Sequence, residues 1–235
     1  MTEGGRMGRT PVILALVASL LVGVPGCTRQ VTGTAQRDPN KPPVEIVEDG
    51  FGIKIGYPDA AVQLELYTEP QCNHCADLQT DFGDQLRQHI ALGELAVTYR
   101  PLTFLDSGAN LHSDRVANAM FEAAFPSEGG AVATDAIAFQ IFVEEAWTKY
   151  DAGADHPSTD ELAEMARTAG LPDDVAERIE AGEPAVDTKD MQDTNFEFLY
   201  QIDPVDTGTP TAYDLNKGEK LDIYDNNWLS KVMGS

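Results

Sequence analysis

Cysteine and positive charge are both scarce in this chain. Its 235 residues include 3 cysteines, and 16 lysines and arginines stand against 39 aspartates and glutamates, a formal net charge of −23. So few bases exclude the basic face that nucleic-acid phosphates require. The acid excess describes a solvated surface that keeps a chain soluble and monomeric and names no partner. One CxxC without a second pair falls short of the four ligands of a structural zinc site. No P-loop, no glycine-rich dinucleotide fingerprint and no serine elbow is present, so nucleotide-dependent and serine-hydrolase chemistry lack their usual signatures. Internal repeats, low-complexity tracts and collagen-like or coiled-coil bias are absent too. What is present is 42% apolar residues, enough for a core, in a length that suits one domain with a large insertion.

Long hydrophobic runs are scarce as well. The uncharged stretch from Pro11 to Val24 follows Arg6 and Arg9, and it is too short and too abruptly ended to be a comfortable membrane span. It reads as an export signal over residues 1–26, with Met1 or Met7 as the start. Val24-Pro25-Gly26-Cys27 resembles a bacterial lipobox, which makes Cys27 a lipidation site and anchors the chain to the outer face of the cytoplasmic membrane. A polar stretch, TRQVTGTAQRDPNKPP, comes next, and residues 27–49 read as a tether. Those ~16 residues reach roughly 50 Å when extended.

VQLELY (62–67) alternates as a strand does, and GIKIG (52–56) gives a shorter strand before it. CADLQTDFGDQLRQHI reads as a helix with Leu78, Phe82, Leu86 and Ile90 on one face, and LAVTYRPLTFL (95–105) as the next strand. Strand, CxxC, helix and strand make a βαβ unit, whose parallel strands are expected to be buried on both sides. Residues 106–204 carry helical patterns: Ser113 as an N-cap candidate, a strongly apolar central helix in VATDAIAFQIFVEEAW, a capping box of Ser158 with Glu161, and a stop at Gly170. TPTAYDL (209–215) and KLDIYD (220–225) flank NKGE as a hairpin, and NNWLSKVM closes as a short helix. The expected organisation is an α/β sheet domain in two pieces, 50–105 and 205–235, split by a helical insertion over 106–204.

The chemistry gathers in EPQCNHCADLQ. Cys72 falls where the helix begins, and the unpaired N–H groups and positive dipole end there favour an anion. A thiolate is such an anion, so the Cys72 thiol is expected below the ordinary range. Cys75, one turn in, is placed to close or resolve a disulfide, and His74 to add a ring N–H or a cation beside the same sulfur. A redox couple, half a metal site and a structural staple are the three readings of such a pair. Missing ligands argue against the second, and the short loop against the third. His89, His112 and His156 are isolated in sequence and follow no ligand spacing.

CNHC after VQLELYTEPQ, the YRPLTFLD strand, the helical insertion and DTGTPTAYDL together resemble the DsbA family of thioredoxin-fold oxidoreductases, above all its actinobacterial exported members, over about residues 50–230. The resemblance implies a thioredoxin fold with an inserted α-helical domain. It implies an enzyme that introduces disulfides into reduced or unfolded exported proteins through a Cys72–Cys75 couple. No cofactor beyond that disulfide is implied, and a quinone-linked membrane partner would reoxidise it. Thr209 would precede a cis Pro210 facing Cys72 and pair with substrate backbone. Asn73 would face substrate inside the CxxC; familiar oxidases have Pro there, which leaves the potential open. Glu65 matches the acid buried beneath the disulfide to move protons, although strand alternation also allows it an exposed face. A reductase or isomerase with the same site, and a thioredoxin-fold binding lipoprotein whose cysteines are only a clip, are the alternatives.

Overall fold

The computed structural model describes residues 41–125, 134–149 and 156–234, all within a unit spanning residues 34–235. The export segment and Cys27 lie outside the described residues. The chain runs through β1 (Val44–Ile46), β2 (Ile53–Ile55), β3 (Val62–Thr68), α1 (Asn73–Ala91) and β4 (Leu95–Pro101). Five helices follow: α2 (His112–Ala124), α3 (Ala136–Thr148), α4 (Thr159–Ala169), α5 (Asp173–Ala181) and α6 (Thr188–Ile202). Two short strands, β5 (Thr211–Asp214) and β6 (Glu219–Lys220), and α7 (Trp228–Met233) end it. The strands form one sheet in the order β1-β2-β4-β3-β5-β6, with β3 and β4 parallel and the other pairs antiparallel. This is the expected thioredoxin-like α/β arrangement.

Alternation along the central strands assigns residues to two different layers. Leu64 and Leu66 lie opposite Val97 and Tyr99 and share one hydrophobic cluster with α1 and α3. The intervening residues face the other way, where Tyr67 packs with Leu102 and with Leu199 of α6. All seven residues of β4 are buried, as a strand with both faces covered requires. The stripe Leu78, Phe82, Leu86 and Ile90 is buried, so the four-residue spacing read from the sequence is the seam that seats α1 on the sheet.

The apolar helix α3 is central to the helical layer, with Phe139, Phe142, Val143 and Trp147 fully buried. It lies so close to α1 that a Cβ at Gly83 would come within 2.7 Å of Glu144 Cγ. A buried polar bridge fixes the two helices to β4. The Tyr99 hydroxyl donates to Gln140 Oε1 at 2.6 Å, Gln140 Nε2 donates to Gln79 Oε1 at 3.0 Å, and Arg87 pairs with Glu144 at 2.7 Å. The Ser158–Glu161 capping box forms at the start of α4, and Gly170 ends that helix in the left-handed region at φ 90°.

Three local expectations are corrected. Val44–Ile46, read as part of the tether, is an edge strand paired with β2; three residues are too few to show a period. Ser113 is not the N-cap of α2: the helix begins at His112, and the Asp106 carboxylate accepts the Ser113 and Asp114 N–H groups at 2.9 and 2.8 Å. The hairpin's second strand is only Glu219–Lys220. Leu221 and Ile223 do pack against the core, which explains the alternation in KLDIYD, but the ladder ends at Tyr213 opposite Lys220.

Candidate active site

Cys72 stands at the N-cap of α1 with extended backbone (φ −84°, ψ 115°), and its carbonyl accepts from the N–H groups of Cys75 and Ala76 at 3.0 and 3.1 Å. β3 ends at Thr68, and a turn closed by Cys72 N–H donating to Glu69 O at 3.0 Å carries the chain into the helix. The helix start is therefore set by the end of the strand on one side and the buried stripe of α1 on the other. Cys72 is half-buried, Cys75 is 1% exposed, and the pair is in its dithiol form.

The two sulfurs differ sharply. The Cys72 thiol is lowered to about 6, first by the hydrogen bond from Cys75, against the opposing effect of burial, then by Thr209 and the backbone N–H groups of Cys75 and His74. Burial pushes the Cys75 thiol well up, and the neighbouring Cys72 pushes it further. At neutral pH the site thus holds one half-buried thiolate and one buried thiol.

Across from the pair lies the loop before β5. The Thr209–Pro210 peptide is cis, and Cys72 Sγ donates to Thr209 O at 3.3 Å. Residues separated by 137 positions in sequence meet here, which is the juxtaposition expected for them.

His74 and Glu65 are placed differently from expectation. The His74 ring is exposed, with Nδ1 3.5 Å from Asp77 Oδ2 and the ring edge-on to Tyr224 at 6.1 Å. What His74 gives Cys72 is its backbone N–H. Asn73, the first residue of α1, is exposed, and its side chain makes no hydrogen bond among the described residues. Glu65 is not beneath the cysteines. It alternates away from Leu64 and Leu66, which pack with Cys75, and lies on the opposite face of the sheet. There its carboxylate accepts from Arg100 Nε at 2.9 Å and from the Tyr67 hydroxyl at 2.8 Å, and Arg100 also pairs with Asp49 at 2.8 Å.

The buried acid of the site is Glu69, which the sequence reading passed over. It is 0% exposed, and its backbone N–H donates to Cys75 Sγ at 3.5 Å. Its carboxylate accepts from the Ser113 hydroxyl and from Gln71 N–H, the latter at 2.6 Å. Around it Gln71 Nε2 donates to Asp106 at 2.7 Å and to Ser113 Oγ at 2.9 Å, Asn110 donates to Gln71 Oε1 at 2.7 Å, and the Trp147 indole donates to Glu69 O at 3.2 Å. Burial raises the carboxyl to about 7, against the lowering by Ser113 and Gln71; the charges of Asp106 and Cys72 add to the rise. The sequence signal was an acid three residues before a CxxC. Its burial depends on Ser113 of α2 and Trp147 of α3, which no local pattern reveals.

The histidines are less isolated than their spacing implied. His112 and His156 stack at 4.8 Å with an interplanar angle of 18°, and burial first, then His156 and Arg115, holds His112 down at about 4. His89 pairs with Glu94 at 2.7 Å.

Comparison with known proteins agrees with this fold. The model of a thioredoxin family matches residues 48–194, more than half of the chain. No curated protein matches the sequence. Among solved structures, the chain is similar to the MdbA protein, a thiol-disulfide oxidoreductase from Corynebacterium matruchotii, at TM-score 0.66 and 19% identity, covering 81% of this chain and 91% of that one. DsbA from Mycobacterium tuberculosis in reduced form is similar at TM-score 0.56 and 22% identity, covering 79% and 92%. BdbD from Bacillus subtilis is similar at TM-score 0.55 and 16% identity, covering 83% and 97%. At these identities the likeness is one of fold.

The Glu69 site makes a testable statement about stability. A carboxyl raised to about 7 favours its protonated form in the fold, so its contribution is complete below about pH 4.5 and is lost as pH rises through 7. Glu69→Gln, which keeps the shape of the neutral acid, should gain stability over the parent between pH 5 and pH 8 by roughly 1–3 kcal/mol. Urea unfolding of the dithiol form at both pH values measures this; a difference independent of pH would contradict it.

Proposed function

Since this chain belongs to the thioredoxin family that residues 48–194 match, we propose that it is an exported thiol–disulfide oxidoreductase that introduces disulfides into other proteins. One observation carries the reading above all. The Cys72 sulfur sits at a helix N-terminus against Thr209 O, beside a cis proline, with its thiol lowered to about 6 while Cys75 is buried and raised. An environment that favours the Cys72 thiolate favours the dithiol product over the disulfide, so the disulfide is a good one to give away. MdbA from Corynebacterium matruchotii, similar in fold, is described as a thiol-disulfide oxidoreductase, which supports the same chemistry here.

The reaction follows from the asymmetry of the pair. A substrate thiolate attacks Cys72 in the Cys72–Cys75 disulfide; a new sulfur–sulfur bond forms, and Cys75 leaves with the electron pair of the old one. A buried Cys75 thiolate is unfavourable, so it takes up a proton. Glu69 is the acid at hand, buried, poised near neutrality and sensitive to the Cys72 charge, and we assign it the proton transfer in place of Glu65. A second substrate thiolate then attacks the substrate sulfur of the mixed disulfide and expels Cys72 as its stabilised thiolate. Two substrate thiols become one disulfide, and the protein holds the two electrons as a dithiol. During attack the backbone at Thr209 is positioned to pair with the extended substrate, with Pro210 and Asn73 as neighbouring contacts. The cycle requires an oxidant for the dithiol, and a quinone-linked membrane protein is the partner the family resemblance implies. No further cofactor enters the scheme.

The experiment is oxidative refolding of a reduced, unfolded test protein by the oxidised chain. Cys72→Ser and Cys75→Ser should both abolish the activity, since neither can hold the disulfide. Mixed instead with the disulfide-bonded form of the test protein, Cys75→Ser should attack one of its disulfides through Cys72 and, having no resolving thiol, accumulate a mixed disulfide visible on non-reducing gels. Equal refolding with and without Cys72 would sink the enzymatic reading in favour of a binding scaffold.

Export and anchoring complete the proposal. Residues 1–26 are removed, Cys27 becomes the lipidated N-terminus, and the chain to Pro43 holds the catalytic unit off the membrane. Labelled palmitate should enter the parent protein, and Cys27→Ala should lose the label and move from membrane to soluble fractions. A labelled or membrane-retained variant would contradict the anchor.

A further inference from the structure

The clefts beside the Thr209–Pro210 loop, whose Thr209 carbonyl contacts the Cys72 sulfur, are edged by acids. Pro210, which follows the Thr209 carbonyl contacting Cys72, lines two adjoining clefts of about 390 and about 200 Å³, and both are also walled by Ile223 and Tyr224. Tyr224 is 71% exposed for an aromatic side chain, held edge-on to the His74 ring. Its apolar face is therefore open to an incoming chain.

The charges at the edge are not balanced. In the larger cleft Lys220 compensates Asp203 at 2.8 Å and lies 3.8 Å from Asp206, but Asp222 has no cation within ion-pair reach among the described residues. Asp77 and Asp81 edge the smaller cleft from successive turns of α1. Asp81 likewise has no cation, and Asp77 has only the His74 ring at 3.5 Å. No lysine or arginine lines this cleft. The acids alone would say nothing, since the whole surface is acidic; these three edge clefts that Pro210, Ile223 and Tyr224 also line, next to the Thr209 carbonyl that contacts the reactive sulfur.

We propose that these clefts select substrate segments carrying a lysine or arginine two to four residues from the reacting cysteine, with Asp77, Asp81 and Asp222 as the specificity-determining residues. The inference rests on the oxidoreductase reading above and adds the chemistry of its substrates. The spacing follows from geometry. Asp77 and Asp81 lie about 7 and about 13 Å along the helix axis from Cys72, and an extended chain advances ~3.3 Å per residue. A long basic side chain suits both parts of the site, its methylene stem lying on Ile223 and Tyr224 and its charged head reaching the carboxylates. A cation near the Tyr224 ring gains a further attraction. A substrate with acids at those positions would bring like charges together.

The test uses the full chain in its disulfide form and two cysteine peptides that differ only in having lysines or glutamates two and four residues from the thiol. Each second-order rate is divided by the same peptide's rate with a small aromatic disulfide, which removes the effect of flanking charge on the peptide's own thiolate. The normalised rates should favour the lysine peptide by about fivefold at low salt, the scale of a few exposed ion pairs, and by less than about twofold near 0.5 M salt. The preference should fall towards unity in Asp77→Asn/Asp81→Asn/Asp222→Asn. It should persist in Asp59→Asn/Glu164→Gln/Glu177→Gln, which removes the same charge from exposed positions elsewhere. Equal normalised rates, or a preference lost equally in both triple variants, would overturn the proposal and leave the enzymatic reading standing. If neither peptide reacts with the parent protein, both readings fall together.

Discussion

The hydrogen bonds gathered by one sulfur at the start of α1 are what the chemistry of this protein depends on. Cys72 receives N–H groups from the first turn of its own helix, a hydrogen bond from Cys75 and another from the Thr209 side chain, and together these outweigh the burial that would otherwise disfavour its charge. Neither set of donors can be moved freely. The helix is seated by Leu78, Phe82, Leu86 and Ile90 against the sheet, and the Thr209 loop is brought in by β5 pairing with β3. The size of the effect is moderate. At pH 7, a thiol at about 6 in place of 9 favours the reduced form roughly tenfold, or ~30 mV for a two-electron couple. Cys75 adds nothing to this figure, because a raised thiol is protonated at that pH in either case.

Sheet geometry decides which acids take part. Period-two alternation sends Glu65 to the α6 face, where Arg100 and the Tyr67 hydroxyl bind its carboxylate and Phe198 lies 4.9 Å from the guanidinium. A glutamate so engaged is a structural group that ties the sheet to the chain at Asp49. Glu69 lies past the end of β3, freed from alternation, and the turn there swings it into the space between the cysteine pair, α2 and α3. The helical insertion therefore does more than wall a groove. Through Ser113 and Trp147 it supplies groups that hold the only fully buried carboxylic acid beside the thiols among the described residues.

Much of this was legible in the sequence because it is local. VQLELY declared its alternation, the α1 stripe its period, and Ser158 with Glu161 their cap; CxxC between strand and helix placed a thiol at a helix start. The pairing of Thr209–Pro210 with Cys72 was legible only through resemblance, since nothing local links positions 137 apart. What escaped was tertiary. Ser113 looked like a cap because serine often is one, but Asp106 took that role and left the serine free for Glu69. His74 looked like a cation beside the thiolate, yet its place in the first turn points the ring outward to Asp77 and Tyr224. His112 and His156 were 44 positions apart and gave no hint of stacking.

The central claim is that the fold, and not the side chain of His74, holds Cys72 as a thiolate at neutral pH. The most direct measurement is the rate of Cys72 alkylation in the dithiol protein as a function of pH, read by mass spectrometry so that Cys75 is followed separately. The account predicts a half-maximal rate near pH 6, a midpoint little changed in His74→Ala, and no modification of Cys75 over the same range. A midpoint near the ordinary thiol range of about 8.5, or one that returns there when the His74 ring is removed, would contradict it.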